Sequence, residues 1–188
     1  MRREITKWHS PNLNKEMEIV AYGEYGFALL MFPTAAADYL EYERFQLIDA
    51  IKPFIESGKC KVYSINSINS ESWLNDEMHP YDKAIRHQQF NKYIIDEVVP
   101  FIYKDCNGVV PIYTTGASLG AFHAVNTFLR RPDLFAGTIG MSGSYDLTDY
   151  VAHMILLIMQ KIISTKICIS ILLCTICQTL KTMKFLSK

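Results

Sequence analysis

The stretch Gly116-Ala117-Ser118-Leu119-Gly120 sets a serine between two glycines at the spacing G-x-S-x-G. Its flanks suit the chemistry such a serine can do. Val109 to Thr115, rich in β-branched residues, reads as a buried strand, and Ala121 to Arg131 reads as a helix ended near Pro132. Strand, G-x-S-x-G and helix in that order are the context of a nucleophile elbow, a sharp turn that lifts a serine hydroxyl to the edge of a sheet. The glycines let strand and helix approach closely around the turn. The helix N-terminus supplies backbone N–H groups and a positive dipole end where an oxyanion would form. Ser118 is therefore the candidate nucleophile. The competing reading is a glycine-rich turn in which Ser118 only caps the helix, and it explains the second glycine less well.

The elements that must position this serine have the rhythm of an α/β fold through residues 1–150. Glu16 to Ala21 reads as a strand, Phe27 to Phe32 as a buried strand closed by Pro33, and Cys60 to Ile65 as the next. Tyr39 to Glu56 carries apolar residues at Phe45, Ile48, Ile51 and Ile55, a helical pattern that stops at Gly58. A long polar loop, Asn66 to Pro80, leads into a second helix from Tyr81 to about Tyr103, which Pro100 should kink or end. Gly137 to Met141 is a further short strand. Strands alternating with helices imply a mostly parallel sheet covered on both faces. Ligands of such sheets bind at the carboxyl ends of the strands, where Ser118 would sit.

Composition narrows the classes. A chain of 188 residues, 49% hydrophobic and 20% charged, can bury one good core. A formal net charge of zero, with no local basic cluster, gives no support to nucleic-acid binding. Met1 to Lys7 lacks the apolar core of a signal peptide, so the cytoplasm is the expected compartment. The five cysteines lack the spacing of a disulfide framework, and Cys174-Thr175-Ile176-Cys177 has no second pair. No metal and no redox or other cofactor is expected. Gln160, Lys161 and Lys166 interrupt the apolar run from Met154 to Leu173, which argues against a membrane span. The oligomeric state is not legible.

The chain resembles the esterase family of α/β-hydrolases that includes S-formylglutathione hydrolases, feruloyl esterases and mycolyltransferases. The matching pieces are Phe32-Pro33-Thr34, Ser70-Glu71-Ser72-Trp73, His79-Pro80, Arg86-His87, Asp96 to Ile102, Gly116 to Ala124, Arg131 to Phe135 and Met141 to Leu147. The resemblance covers about residues 5 to 150, and the pieces are specific as a set. One departure is Ala121, where many relatives have a further glycine. The resemblance implies a three-layer α/β-hydrolase sandwich with a mostly parallel sheet, and a small-molecule carboxylic ester as substrate. Ser118 would attack the ester carbonyl. The oxyanion would be held by the backbone N–H of Leu119 and by one from the loop after Phe32, near Thr34 or Ala35. A plain strand-to-helix turn is the simpler reading of Thr34 to Ala37. Glu71 and Trp73, on the loop after the third strand, would line the substrate mouth, or Trp73 would be a buried anchor of that loop.

The resemblance also implies an acid and then a histidine on strands well past the elbow. After Ser118 the acids are Asp133, Asp146 and Asp149, all early for that position, and the histidines are His123 and His153. His123 lies on the elbow helix and reads as a packed structural histidine; His79 and His87 precede the elbow and are at most substitutes. From Val151 to Lys188 there is no Asp, Glu, Gly, Pro, Trp or Tyr, an abrupt break in composition. With the coding bases read one position out of frame, Lys166 to Leu186 can encode a string similar to the segment that follows Tyr-Asp-Leu in relatives. Residues 151–188 are therefore expected to be an out-of-frame extension of an α/β-hydrolase that is incomplete at its C-terminus. Two functions follow: a carboxylic-ester hydrolase or acyltransferase, and a non-catalytic remnant or interaction scaffold that lacks the triad acid and histidine.

Overall fold

The computed structural model describes residues 1–145. Six strands, β1 (Arg3–Ser10), β2 (Lys15–Tyr22), β3 (Phe27–Phe32), β4 (Cys60–Ile65), β5 (Ile112–Ala117) and β6 (Gly137–Met141), form one sheet in the order β1-β2-β4-β3-β5-β6. The β1–β2 and β2–β4 pairs are antiparallel; β4, β3, β5 and β6 run parallel. Alternate side chains of β2 serve opposite faces, as strand geometry requires. Met17, Ile19 and Ala21 join one buried cluster, and Val20 and Tyr22 join the other. The first cluster is completed by Phe90, Tyr93, Ile94, Val98, Ile102 and Ala124. The second is completed by Tyr42, Ile48 and Ile55. Helices thus cover both faces of the sheet, the three-layer arrangement of an α/β fold.

The structure changes the expected elements in four places. β1 is an addition to them, because an edge strand with mostly exposed side chains shows no apolar alternation. Its hold on the body comes through Trp8, which stacks on Tyr93 at 6.0 Å and Phe101 at 5.3 Å. The single helix expected from Tyr39 to Glu56 is two: α1 (Glu41–Arg44) and α2 (Leu47–Glu56). Gln46 between them adopts φ 60°, and Phe45, expected on the buried face, is 77% exposed. α1 instead turns Glu41 and Tyr42 inward, and both are buried. β5 begins at Ile112 rather than Val109, which is 83% exposed.

The fourth difference is at Pro100. The helix does not end there: α3 (Pro80–Tyr93) passes through a π-helical turn, Ile94–Val98, into α4 (Val99–Asp105). Proline lacks the N–H for an i→i−4 bond and its ring collides with that carbonyl. A wider turn just upstream relieves both. The turn also holds Glu97, whose carboxylate accepts from Trp8 Nε1–H at 2.8 Å, Ser10 Oγ–H at 2.7 Å and Asn12 Nδ2–H at 2.8 Å. Burial opposes ionisation there, but these donors outweigh it and hold the carboxyl below its usual range. Replacing Glu97 by alanine strands those donors. Because bonds to a charged acceptor carry about 1.5–3 kcal/mol, a loss of about 2 kcal/mol is expected, with faster amide exchange along β1. Denaturant titration and exchange mass spectrometry read both, and unchanged β1 protection would contradict this account of the edge strand.

The loop between β4 and α3 is less superficial than its polarity suggests. It makes a 3₁₀ turn at Asn69–Glu71 and buries Ile68, Asn69, Ser72 and Trp73. The expectations for residues 151–188, and those for Asp146 and Asp149, fall outside the described residues.

Candidate active site

Strands β3, β5 and β6 end level with one another, with Phe32 opposite Gly116 and Ala117 opposite Met141. The next residue, Ser118, leaves the sheet with φ 54° and ψ −121°. That conformation is costly for a non-glycine residue. It is held by the Ser118 N–H donating to the Met141 carbonyl at 3.0 Å and by the Ser118 carbonyl accepting from Ala121 and Phe122 N–H. α5 (Leu119–Arg130) starts at once, and Ser118 is exposed at its head.

The two flanking glycines make this turn possible. A Cβ on Gly116 would lie 2.4 Å from the Gly120 carbonyl. A Cβ on Gly120 would lie 2.3 Å from the Phe32 oxygen and 2.6 Å from the Pro33 oxygen. Strand, helix and the end of β3 therefore meet with no room for a side chain at either position. The sharp strand–helix turn expected around Ser118 is present, at the carboxyl edge of the parallel strands.

Leu119 is the first residue of α5 and is buried. Its partner loop, Pro33-Thr34-Ala35, leaves β3 beside it. Here the structure separates the two candidates. The Thr34 N–H donates to Glu41 Oε2 at 2.8 Å, and Thr34 Oγ1 donates to Glu41 Oε1 at 2.5 Å. The Thr34 carbonyl accepts from Asn69 Nδ2 at 3.4 Å. Thr34 N–H, expected as a possible oxyanion donor, is committed to a carboxylate, which leaves the Ala35 N–H of the pair. Next along α1, Tyr42 Oη donates to the Phe32 carbonyl at 2.6 Å and accepts from Ala117 N–H at 3.1 Å. Burial pushes the Tyr42 hydroxyl up to about 12, against the opposing pull of the Ala117 N–H, so it stays protonated. Sequence reasoning missed Glu41, Tyr42 and Asn69. Phe45 fits the helical period in the sequence, so the pattern carries no trace of them, although the structure leaves Phe45 77% exposed.

The histidines are held elsewhere. His123 is buried, with Nε2 2.7 Å from Asn69 Oδ1, and desolvation lowers it to about 3. His87 is buried beside Asn126 Nδ2 at 3.3 Å, and burial, His123 and Arg130 together hold it well below its ordinary value. His79 caps α3 by accepting from the Tyr81 N–H. None of the three hydrogen-bonds Ser118 among the described residues. His123 has the packed, bonded setting expected of it.

Glu71 and Trp73 have separate fates. Both Glu71 carboxylate oxygens are taken up, by Lys15 and Arg86. Trp73 is 1% exposed and packs on His87 and Phe122, the loop-anchor arrangement rather than the mouth of a cleft. A cavity of about 380 Å³ lies between α3 and the C-terminal end of α5, lined by Asn91, Lys92, Asp96, Thr127 and Arg130 and not by Ser118. Among the described residues no group of three or more His, Cys, Asp or Glu side chains is placed to hold a metal ion. No helix among them is long and apolar enough to cross a membrane.

No family model and no curated protein matches the chain. Solved structures do. An S-formylglutathione hydrolase from Agrobacterium tumefaciens is similar at TM-score 0.60 and 13% identity, over 81% of this chain and 65% of that one. An S-formylglutathione hydrolase from Staphylococcus aureus is similar at TM-score 0.52 and 14% identity, over 79% and 61%. A ferulic acid esterase is similar at TM-score 0.56 and 17% identity, over 76% and 58%. The fold is that of the α/β-hydrolases, with a mixed, mostly parallel sheet, and the chain spans about three fifths of the length of these structures.

Proposed function

We propose that Ser118 is the nucleophile of a hydrolase acting on carboxylic esters of small molecules. The observation that carries this is the backbone of Ser118, held at φ 54° between two glycines at the carboxyl edge of the parallel strands. An ordinary capping serine keeps an extended backbone and bonds the helix N-terminus with its side chain, whereas Ser118 is at φ 54° and makes no capping hydrogen bond. In this reading Ser118 Oγ attacks the ester carbonyl and the oxyanion accepts from Leu119 and Ala35 N–H. The alcohol leaves with a proton, and water releases the acid from the acyl-serine. His87 and His123 are buried with their ring nitrogens turned to Asn126, Asn69 or the core, and His79 Nδ1 accepts from the Tyr81 N–H, so none of the three supplies a base bonded to Ser118 among the described residues. The resemblance and the esterases among the solved structures support the substrate class.

That same commitment of the histidines favours a second reading, a non-catalytic scaffold in which Ser118 is a fossil of the elbow. One experiment separates them. A fluorophosphonate probe is expected to label the folded chain at Ser118, as read by peptide mass spectrometry, and labelling is expected to vanish in Ser118→Ala. A folded chain left unlabelled would overturn the hydrolase reading and leave the scaffold.

A further inference from the structure

Glu41 and Tyr42 are consecutive residues of a four-residue helix, each 5% exposed, although neither is an ordinary core residue. Between them they hold the loop after β3 and join the ends of β3 and β5 beside Ser118. Glu41 grips Thr34 by its N–H and its hydroxyl at once. Tyr42 Oη sits between an acceptor on β3, the Phe32 carbonyl, and a donor on β5, the Ala117 N–H. The two strand ends are therefore joined through one oxygen atom at the point where the paired register stops, Phe32 opposite Gly116. Past that pair the chain after Phe32 is Pro33, which has no N–H to extend a ladder. From the other side Asn69 holds the Thr34 carbonyl and accepts from His123 Nε2–H, which belongs to the elbow helix.

We propose that the Glu41–Tyr42 pair is a clamp that sets the spacing of the oxyanion hole, with Thr34 as the gripped residue and Ala35 N–H as the donor presented opposite Leu119 N–H. This rests on the reading of Ser118 as nucleophile. The reason such a device matters is steep distance dependence. An oxyanion donor works only when fixed at hydrogen-bond range of the developing charge, and losing one costs on the order of 10²–10³ in rate. A loop that follows proline and has lost its ladder cannot hold that tolerance alone. With N–H, hydroxyl and carbonyl of Thr34 all bonded, the peptide that carries Ala35 N–H has its orientation fixed. Glu41 and Tyr42 are positioning residues and touch no substrate.

The test is the kinetics of fluorophosphonate labelling of Ser118 in the full chain, resolved into the saturating rate and the probe concentration for half-saturation. Tyr42→Phe keeps the ring and its packing and removes the bridging oxygen. It is expected to lower the saturating rate per folded molecule at least tenfold, with half-saturation moved less than threefold, while the stranded Phe32 carbonyl and Ala117 N–H lower the thermal midpoint as a separate effect. Glu41→Ala should behave likewise, whereas Glu41→Gln, which retains an acceptor for the Thr34 N–H, should recover most of the rate. A role in stability alone would lower the midpoint and leave the rate per folded molecule unchanged. Wild-type labelling with Tyr42→Phe and Glu41→Ala labelling at the same rate overturns the clamp and leaves the nucleophile standing. No labelling of the wild type overturns both.

Discussion

Replacing Gly120 by alanine is expected to cost about 3 kcal/mol or more and to lower the thermal midpoint by roughly 10 °C. The added Cβ would meet the Phe32 and Pro33 carbonyl oxygens at 2.3 and 2.6 Å. Both are backbone atoms, so no rotamer change relieves the contact. Either α5 retreats from the end of β3, opening the strand–helix turn, or β3 bends away and gives up its pairing with β5. The first route exposes Ala121 and Ala124, both fully buried now, and the second breaks the parallel ladder that ends at Phe32 and Gly116. Gly108→Ala is the control, because a Cβ there meets nothing within 4 Å. It should stay within about 0.5 kcal/mol of the parent. Thermal denaturation followed by circular dichroism compares the two, and equal midpoints would mean that α5 does not approach β3 so closely.

The strand–helix turn around Gly120 is also the part of the fold most legible in the amino-acid sequence. G-x-S-x-G constrains local backbone, and local backbone is what spacing and residue type encode. The bounds of β3, β4 and β6 can be read in the same way, from short apolar or β-branched runs closed by proline or glycine. β1 is not legible, because its support is Trp8 against Tyr93, Phe101 and Glu97, all more than eighty residues away. The break at Gln46 is hidden for a related reason. Ile48 and Ile55 obey a helical period and are buried, but Glu41 and Tyr42 turn inward to meet Thr34, Phe32 and Ala117. Such contacts override a periodic pattern without leaving a mark in it. The choice between Thr34 and Ala35 is likewise undecidable from sequence, since a backbone donor has no side-chain signature. A carboxylate seven residues on, bonded to one N–H of the two, separates them.

The stability of the chain is expected to fall steeply as the pH drops from 6.5 to about 5, with a slope set by His87 and His123. Both rings are buried and their centroids lie 5.3 Å apart. Asn69 Oδ1 can only accept, so His123 carries its proton on Nε2; Asn126 Nδ2 can only donate, so His87 Nε2 is bare. Both rings are thus neutral, and the Nδ1 of each lacks a partner among the described residues. Burial lowers both, and for His87 the neighbouring ring and Arg130 lower it further. Around the rings stand Trp73, Phe122 and Phe90, with Lys83 bonded to the Trp73 carbonyl, and no carboxylate among the described residues bonds either ring. Folded-state values below the unfolded 6.5 mean that the unfolded chain binds protons first. The contribution of the neutral rings is therefore whole above pH 6.5 and is lost as the pH falls, by about 1.4 kcal/mol per pH unit for each ring. For His123 the loss continues down to about 3. Down to about pH 5 that is roughly 2 kcal/mol for His123, a substantial part of a typical folding free energy, and His87 adds in the same direction. The carboxylates held below their ordinary values, Glu43, Glu71, Glu97, Asp105 and Asp133, lose their contribution mainly below this window, as the pH falls through the unfolded carboxylate range, and add little to the slope within it. Urea unfolding at a series of pH values measures it directly, and His87→Phe, which fills the same space without a titrating group, should roughly halve the slope. Stability that stays flat from pH 6.5 to 5 would mean that the rings are reachable by water or by a counter-charge, and that the Asn69–His123 tie beneath the elbow is looser than its 2.7 Å implies.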